Sequence, residues 1–326
     1  MRLKRRYAQS PPANMEGREY RDRTAKAAAE AGPRAAVADK AATVVFYAGG
    51  LSVVLILCCF AGYVIATGWH SLNIRFLTTP PKLMAAGGGI GPQLFNSFYL
   101  LFLSLLISCP IGLGAGIYLA EYAPRNRITD AIRLSLETLS SLPSIAIGLF
   151  GLIVFVNLMG WGFSLSAGAM ALMILNLPII TRVTEEAIRA VPAPLKEGSL
   201  ALGATRWQTI RRLVLPMAAS GIISGAILVA GRVFGEAAAL LYTAGMSSPP
   251  LSFTDLNPLH PASPLNPFRP AETLAVYTWK VNSEGLAPDA RQIADGASAV
   301  LILTVFTFNI IARFFARGLR RHAAGL

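Results

Sequence analysis

The chain is 326 residues long, 54% hydrophobic and only 14% charged, with a formal net charge of +12 and a mean hydropathy of +0.52. A soluble domain carries about 25% charged residues, so this composition excludes an ordinary water-soluble fold. The positive excess comes with no basic folded surface for nucleic acid and reads as membrane topology and contact with anionic lipid.

Residues 1–42 are polar, Ala-rich and charged in both signs, from Arg2, Lys4, Arg5 and Arg6 through Glu16 to Lys40. They lack the apolar core of a signal peptide and are expected to form a mobile or weakly helical cytoplasmic extension near lipid headgroups. Six stretches then approach the roughly 20 apolar residues that a bilayer-crossing helix needs. They run at about 43–67, 93–120, 136–158, 163–181, 216–241 and 295–315. The first, third and sixth are the cleanest, and the fifth is interrupted by charge. The first is too long for a cleavable signal and stays as an anchor. Helices satisfy their own backbone hydrogen bonds in lipid, so the expected fold is an all-α integral membrane protein with six transmembrane helices.

Orientation follows from the basic residues. With the N-terminus inside, segments 1–42, 121–135, 182–215 and 316–326, with Arg313 at the inner edge, hold 23 of the 29 Lys and Arg. Outside lie Arg75, Lys82, Arg269, Lys280 and Arg291, and Arg232 falls within a span. Both termini are therefore expected in the cytoplasm. Cys58, Cys59 and Cys109 all lie in spans without metal-ligand spacing and read as packing residues. With His70, His260 and His322 scattered, no metal site is expected. The loop 243–294 carries eight of the 21 prolines, several of them every three residues between Asn257 and Pro270. A loop this long is functional or disordered, and the proline spacing argues for a stiff, ordered excursion on the outer face.

Between the fourth and fifth spans, Val191 to Pro216 spells two short helices and a corner. Pro192 and Pro194 suit a helix start, and Gly203 sits where a helix ends in a left-handed residue. Thr205 and Gln208 have capping-box spacing for a second helix over Arg206 to Arg212. Pro216 is expected to open the next span, where a missing N–H is tolerated. Gly198, Ser199 and Ala201 keep the first helix narrow, so another surface can approach closely. The plain alternative is a connector between two spans.

Glu197-Gly-Ser-Leu-Ala-Leu-Gly203, followed nine residues later by Leu213-Val-Leu-Pro216, resembles the cytoplasmic "EAA" loop of ABC importer permeases. Glu197, Gly203, Leu215 and Pro216 match that motif, Gly198 and Ser199 replace its two alanines, and Leu213 replaces its usual isoleucine. Three further runs, Leu142 to Gly151, Gly231 to Leu241 and Asn266 to Ala275, are similar to the phosphate importer, and among its two permeases to the PstA type. The likeness spans about 45–320. It implies a type I (MetI-like) bundle over 43–320 with a coupling segment at 192–212, in a bacterial inner membrane. The partners it implies are a second homologous permease, an ATP-binding subunit dimer, an extracytoplasmic phosphate-binding protein and membrane lipid. It assigns Glu197, Gly198, Ser199, Gly203, Leu215 and Pro216 to ATPase coupling, with ATP and Mg²⁺ held by the partner.

Arg232 and Glu236 are spaced i,i+4 in the fifth span, and an ionisable group at that depth is a functional candidate by default. One reading is a self-neutralising pair on a helix that packs through Gly231 and Gly235. The other places Arg232 on a water-accessible anion path, held by Glu236. A planar guanidinium donates two parallel bonds to an oxyanion and stays charged when desolvated. Arg182, after Asn176 and Pro178 at the end of the fourth span, is either a topology anchor or, by the resemblance, a second station on that path. Pro143 and Ser144 either kink the third span for packing or free backbone N–H groups for an anion.

No Gly-Lys dipeptide occurs, so there is no Walker A loop, nor any nucleophile–base constellation, and the chain is not expected to hydrolyse ATP. An ABC permease for molybdate or sulfate is the nearest competing reading. An ion-gradient-driven transporter would need paired repeats with broken helices, which the sequence lacks. A membrane scaffold relaying phosphate status is a third class, separable by vesicle uptake of labelled phosphate.

Overall fold

The computed structural model describes residues 32–82, 84–285 and 287–323, and all regular structure among them is helical. The chain divides into two units, Met1–Gly62 and Tyr63–Leu326. Of the first, the described part is helix: α1 runs Gly32–Gly68, across the boundary. The extension expected over 1–42 lies outside the described residues up to position 31. Its remainder is already helical, as the high helix propensity of Ala35, Ala36, Ala38, Ala41 and Ala42 favours.

In the second unit, α2 (Ile74–Thr78) is capped by Asn73, whose side chain accepts from Phe76 N at 2.7 Å. Helix α3 (Gly91–Ile117) ends in a wide π turn, Tyr118–Tyr122. Next come α4 (Arg127–Ser141) and α5 (Ser144–Gly151), the latter running into a π turn at Leu152–Leu158. Helix α6 (Leu165–Arg189) leads to the short helices α7 (Ala193–Ala201) and α8 (Arg206–Thr209). A π turn at Ile210–Val214 joins α8 to α9 (Leu215–Gly235), followed by α10 (Ala238–Leu241), α11 (Leu274–Glu284) and α12 (Ala290–Ala323).

Helix α6 is central: 61% of its most apolar stretch is buried, against 33% for α3. Small residues set the seam between them, as membrane helices favour. A Cβ added to Gly116 would lie 2.5 Å from Cβ of Thr184. The main core joins Leu100 and Leu101 of α3, Leu172 and Leu175 of α6, and Val233 and Phe234 of α9. A smaller cluster of Ile188, Val191, Val214 and Ala218 packs where α6 and α9 meet beneath the short helices.

Among the described residues, five helices are long and apolar enough to cross a membrane, and a sixth crossing requires counting a bent pair as one. That pair corrects the third span. Its first residues belong to α4, which begins at Arg127 and meets the segment Ser144–Leu158 at 97°. The residue before a proline is driven out of the helical region, and Leu142, with ψ 138°, breaks the helix ahead of Pro143. The fourth span runs on to Arg189, so Arg182 sits two turns from the helix end rather than at it. Pro216 falls in the first turn of α9, as expected, although the helical path does not begin there. The helix is continuous over Arg206–Gly235, and the π turn just before Pro216 relieves the clash and missing donor that a proline brings to a helix. That helix stops at Gly235, short of the expected 241, and the last one starts at Ala290, ahead of 295.

Candidate functional site

The segment 192–212 forms the corner its sequence spells. Gly203 has φ +86° and Ala204 N donates to Ser199 O at 3.3 Å, while Gly203 N donates to Leu200 O at 3.0 Å. Those two bonds close α7 as a Schellman cap. Gln208 N then donates to Thr205 Oγ1 at 3.3 Å and Thr205 N to Gln208 Oε1 at 2.8 Å, a complete capping box. The Ser199 and Thr209 hydroxyls meet at 2.9 Å and lock the hairpin. Glu197 and Gly198 are exposed, and a Cβ on Gly198 would touch nothing. Leu202 is 91% and Trp207 54% exposed. Leu215 is half-buried against the Ile188 cluster, whereas Pro216 is exposed.

Beside this hairpin, α4 and α6 enclose a cleft of about 670 Å³ that carries six charged side chains. Glu185 accepts from Arg133 Nε at 3.0 Å and pairs with Arg189 Nη2 at 2.8 Å. Arg182 Nε donates to Glu186 at 3.0 Å, and its Nη1 stands 3.8 Å from Glu137. Arg182 is therefore a paired cation on the wall of a cleft, with its carboxylates supplied by two helices.

The helical Arg232–Glu236 pair is not formed. Glu236 leaves the helix with ψ 119° and its Oε1 accepts from Ala239 N at 3.4 Å, at the start of α10. The cause is tertiary. The backbone of α10 packs on Gly148 of α5, where an added Cβ would lie 2.9 Å from Ala239 Cα, and this draws the chain off the α9 axis. Arg232 is exposed, and its neighbour Gly231 faces Asn309 of α12, while Gly235 faces open space.

At the opposite end of the bundle the proline-rich loop is folded into the protein. Arg269, only 3% exposed, donates from Nη2 to Asn96 Oδ1 at 2.7 Å and to Pro264 O at 3.0 Å. Glu272, 2% exposed, accepts from Gln93 at 3.1 Å and Lys280 at 3.1 Å, and Lys280 also donates to Met246 O at 2.6 Å. Burial lowers the Arg269 guanidinium to about 10. Burial also raises the Glu272 carboxyl, against the opposing pull of Gln93 and Lys280. Tyr277 is pushed up to about 12 by burial and by the carboxylates of Glu272 and Asp289. From the sequence, Lys280 counts only as an outer charge, and Arg269 as an outer charge within the Asn266–Ala275 run. The signal was the Arg–Pro–Ala–Glu run leading into the apolar α11, two opposite charges in a segment that buries itself, each with its own partner.

Comparison with known proteins supplies a family. Residues 112–324 match the model described as "Binding-protein-dependent transport system inner membrane component". The chain is 55% identical over 278 residues to "Probable ABC transporter permease protein YqgI" of Bacillus subtilis (strain 168), covering 85% of this chain and 95% of that one. It is 34% identical over 263 residues to "Phosphate transport system permease protein PstA" of Haemophilus influenzae, covering 79% and 86%. Among solved structures, a chain of a bacterial alginate ABC transporter in complex with alginate pentasaccharide-bound periplasmic protein superposes with a TM-score of 0.61 at 17% identity. That match covers 86% of this chain and 97% of the other, and it speaks for the fold.

Proposed function

This chain belongs to the family of binding-protein-dependent transport system inner membrane components and is PstA-like within it, and on that premise we propose that it is the permease subunit of an ATP-driven importer of inorganic phosphate. The observation that carries the cargo is the likeness to the Haemophilus influenzae phosphate permease over 79% of the chain. On this reading the domain 43–320 supplies half of a translocation path, with a second homologous permease supplying the other half. ATP and Mg²⁺ sit on an ATPase dimer that docks on the exposed Glu197 and Gly198, beside the half-buried Ser199 that ties the hairpin to Thr209, with Gly203 setting the corner and Leu215 and Pro216 anchoring it to α9. The Lys and Arg distribution puts both termini and this hairpin in the cytoplasm. The loop 243–294 then faces an extracytoplasmic phosphate-binding protein.

Arg232 and Arg182 are the cations proposed to meet the anion. Arg232 is exposed along α9 and, among the described residues, no side chain competes for its fork. Arg182 is shared between Glu137 and Glu186, and a passing phosphate exchanges with those carboxylates without being trapped. Glu236 shapes the turn after Arg232 and does not neutralise it. The test is uptake of labelled phosphate by vesicles holding the whole complex, with molybdate and sulfate as competitors. ATP-dependent phosphate uptake resistant to both competitors is expected. Uptake of either competitor in preference to phosphate assigns the other oxyanion.

A further inference from the structure

The wide turn Tyr118–Tyr122 at the end of α3 has three partners. Lys196, on the inner side of α7, reaches it: Nζ lies 2.6 Å from Glu121 Oε1 and donates to Ile188 O at 3.1 Å. The pair is mostly buried, at 19% and 16% side-chain exposure, although Leu195 and Glu197 on either side of Lys196 are exposed. Arg206, opening α8, holds its guanidinium 5.7 Å over the Tyr122 ring. The third contact follows from the turn itself. Ala123 N donates to Tyr118 O at 2.8 Å, one residue beyond the helical partner, and the next residue is Pro124, which has no N–H. Leu119 O is thereby left without a helical donor and accepts from Arg133 Nη2 of α4 at 3.3 Å. Arg133 in turn holds Glu185 of α6.

We propose that the turn Tyr118–Tyr122 is the joint that carries displacement of the 192–212 hairpin into α4 and α6, with Lys196 and Glu121 as the positioning residues. Both helices of the hairpin hold the turn, at Glu121 and Tyr122, and Arg133 holds it at Leu119 O. A π turn can take up a change of register without unfolding the helix around it, and a short buried ion pair resists shear where an exposed one slips. A push on the hairpin thus reaches the charged cleft through Glu121, Leu119 O and Arg133. The inference rests on the reading of 192–212 as the ATPase-contacting segment.

The test uses the whole complex in vesicles, with ATP hydrolysis and phosphate uptake measured together. Lys196→Met and Glu121→Gln are each expected to hydrolyse ATP within about twofold of wild type while uptake per ATP falls about tenfold. Lys196→Glu combined with Glu121→Lys is expected to regain at least a third of the wild-type ratio. A pair that only stabilises the fold lowers abundance and both activities in proportion. That result, an unchanged ratio in the single variants, or a reversed pair that stays uncoupled overturns the proposal. A second readout is independent of cargo. Spin labels at Arg211→Cys and Ser140→Cys, with the native cysteines replaced by serine, are expected to change separation on ATP trapping in wild type and not in Lys196→Met. If wild type hydrolyses ATP and moves no phosphate, the cargo reading fails alone. Persistence of the distance change in Lys196→Met removes the joint.

Discussion

Glu272 shows how one residue's surroundings reverse its usual behaviour. A carboxylate beside a lysine normally titrates low, yet burial raises Glu272 despite Lys280 and Gln93. A folded-state value above the unfolded one means that the native chain holds the extra proton between the two values. The contribution of the group is complete below the unfolded value and is lost as pH climbs through the folded one. Glu272→Gln mimics the protonated form, so variant and wild type are expected to unfold at similar temperatures near pH 4. The variant then gains on wild type as pH rises, by at most about 1.4 kcal/mol per unit. Thermal unfolding of the purified protein from pH 4 to 8 measures the gap. A gap that moves in wild type's favour on going to neutral pH means that Lys280 outweighs burial.

The caps and corner of the hairpin 192–212 were legible in the sequence because they are local, whereas its anchoring to Glu121 and Tyr122 was not. A glycine at a helix end needs φ > 0, and a Thr three residues before a Gln closes a box; neither depends on the rest of the chain. The bent pair was not legible in the same way, since a hydropathy run has no direction. Residues 136–158 read as one straight segment although Leu142 turns the path by 97°. Glu236 failed for a related reason: the backbone contact between Gly148 and Ala239 that ends α9 joins residues far apart in sequence. Two substitutions grade the local element. Thr205→Ala removes one acceptor of the capping box, about 1 kcal/mol, so the Gln208 amide is expected to exchange about fivefold faster with uptake little changed. Gly203→Val forces a β-branched residue to φ +86°, a strain on the order of 1–3 kcal/mol. It is expected to uncouple hydrolysis from uptake while membrane abundance stays normal. Normal uptake by Gly203→Val leaves 192–212 a plain connector.

Across the molecule, ionisable groups within the helical bundle are treated in two ways. Those near the hairpin are cross-paired: Arg133 and Arg189 with Glu185, Arg182 with Glu137 and Glu186, Lys196 with Glu121. Arg232 differs, because the carboxylate four residues on is turned away to α10. Keeping an unneutralised guanidinium along a membrane helix costs several kcal/mol unless it meets water, a partner chain or an anion. If the helix needed Glu236 to neutralise Arg232, the double variant Arg232→Gln with Glu236→Gln would insert well and transport normally. The geometry predicts otherwise. Arg232→Gln is expected to reach normal abundance with uptake lowered at least tenfold. Arg232→Lys is expected to fall between it and wild type, because the charge remains and the fork is lost. Glu236→Gln alone is expected to retain most uptake, since its amide oxygen still accepts from Ala239 N. The double variant is then expected to stay as inactive as Arg232→Gln. Membrane abundance and initial phosphate uptake for the four variants decide the matter, and an active double variant at normal abundance removes Arg232 from the proposed anion path.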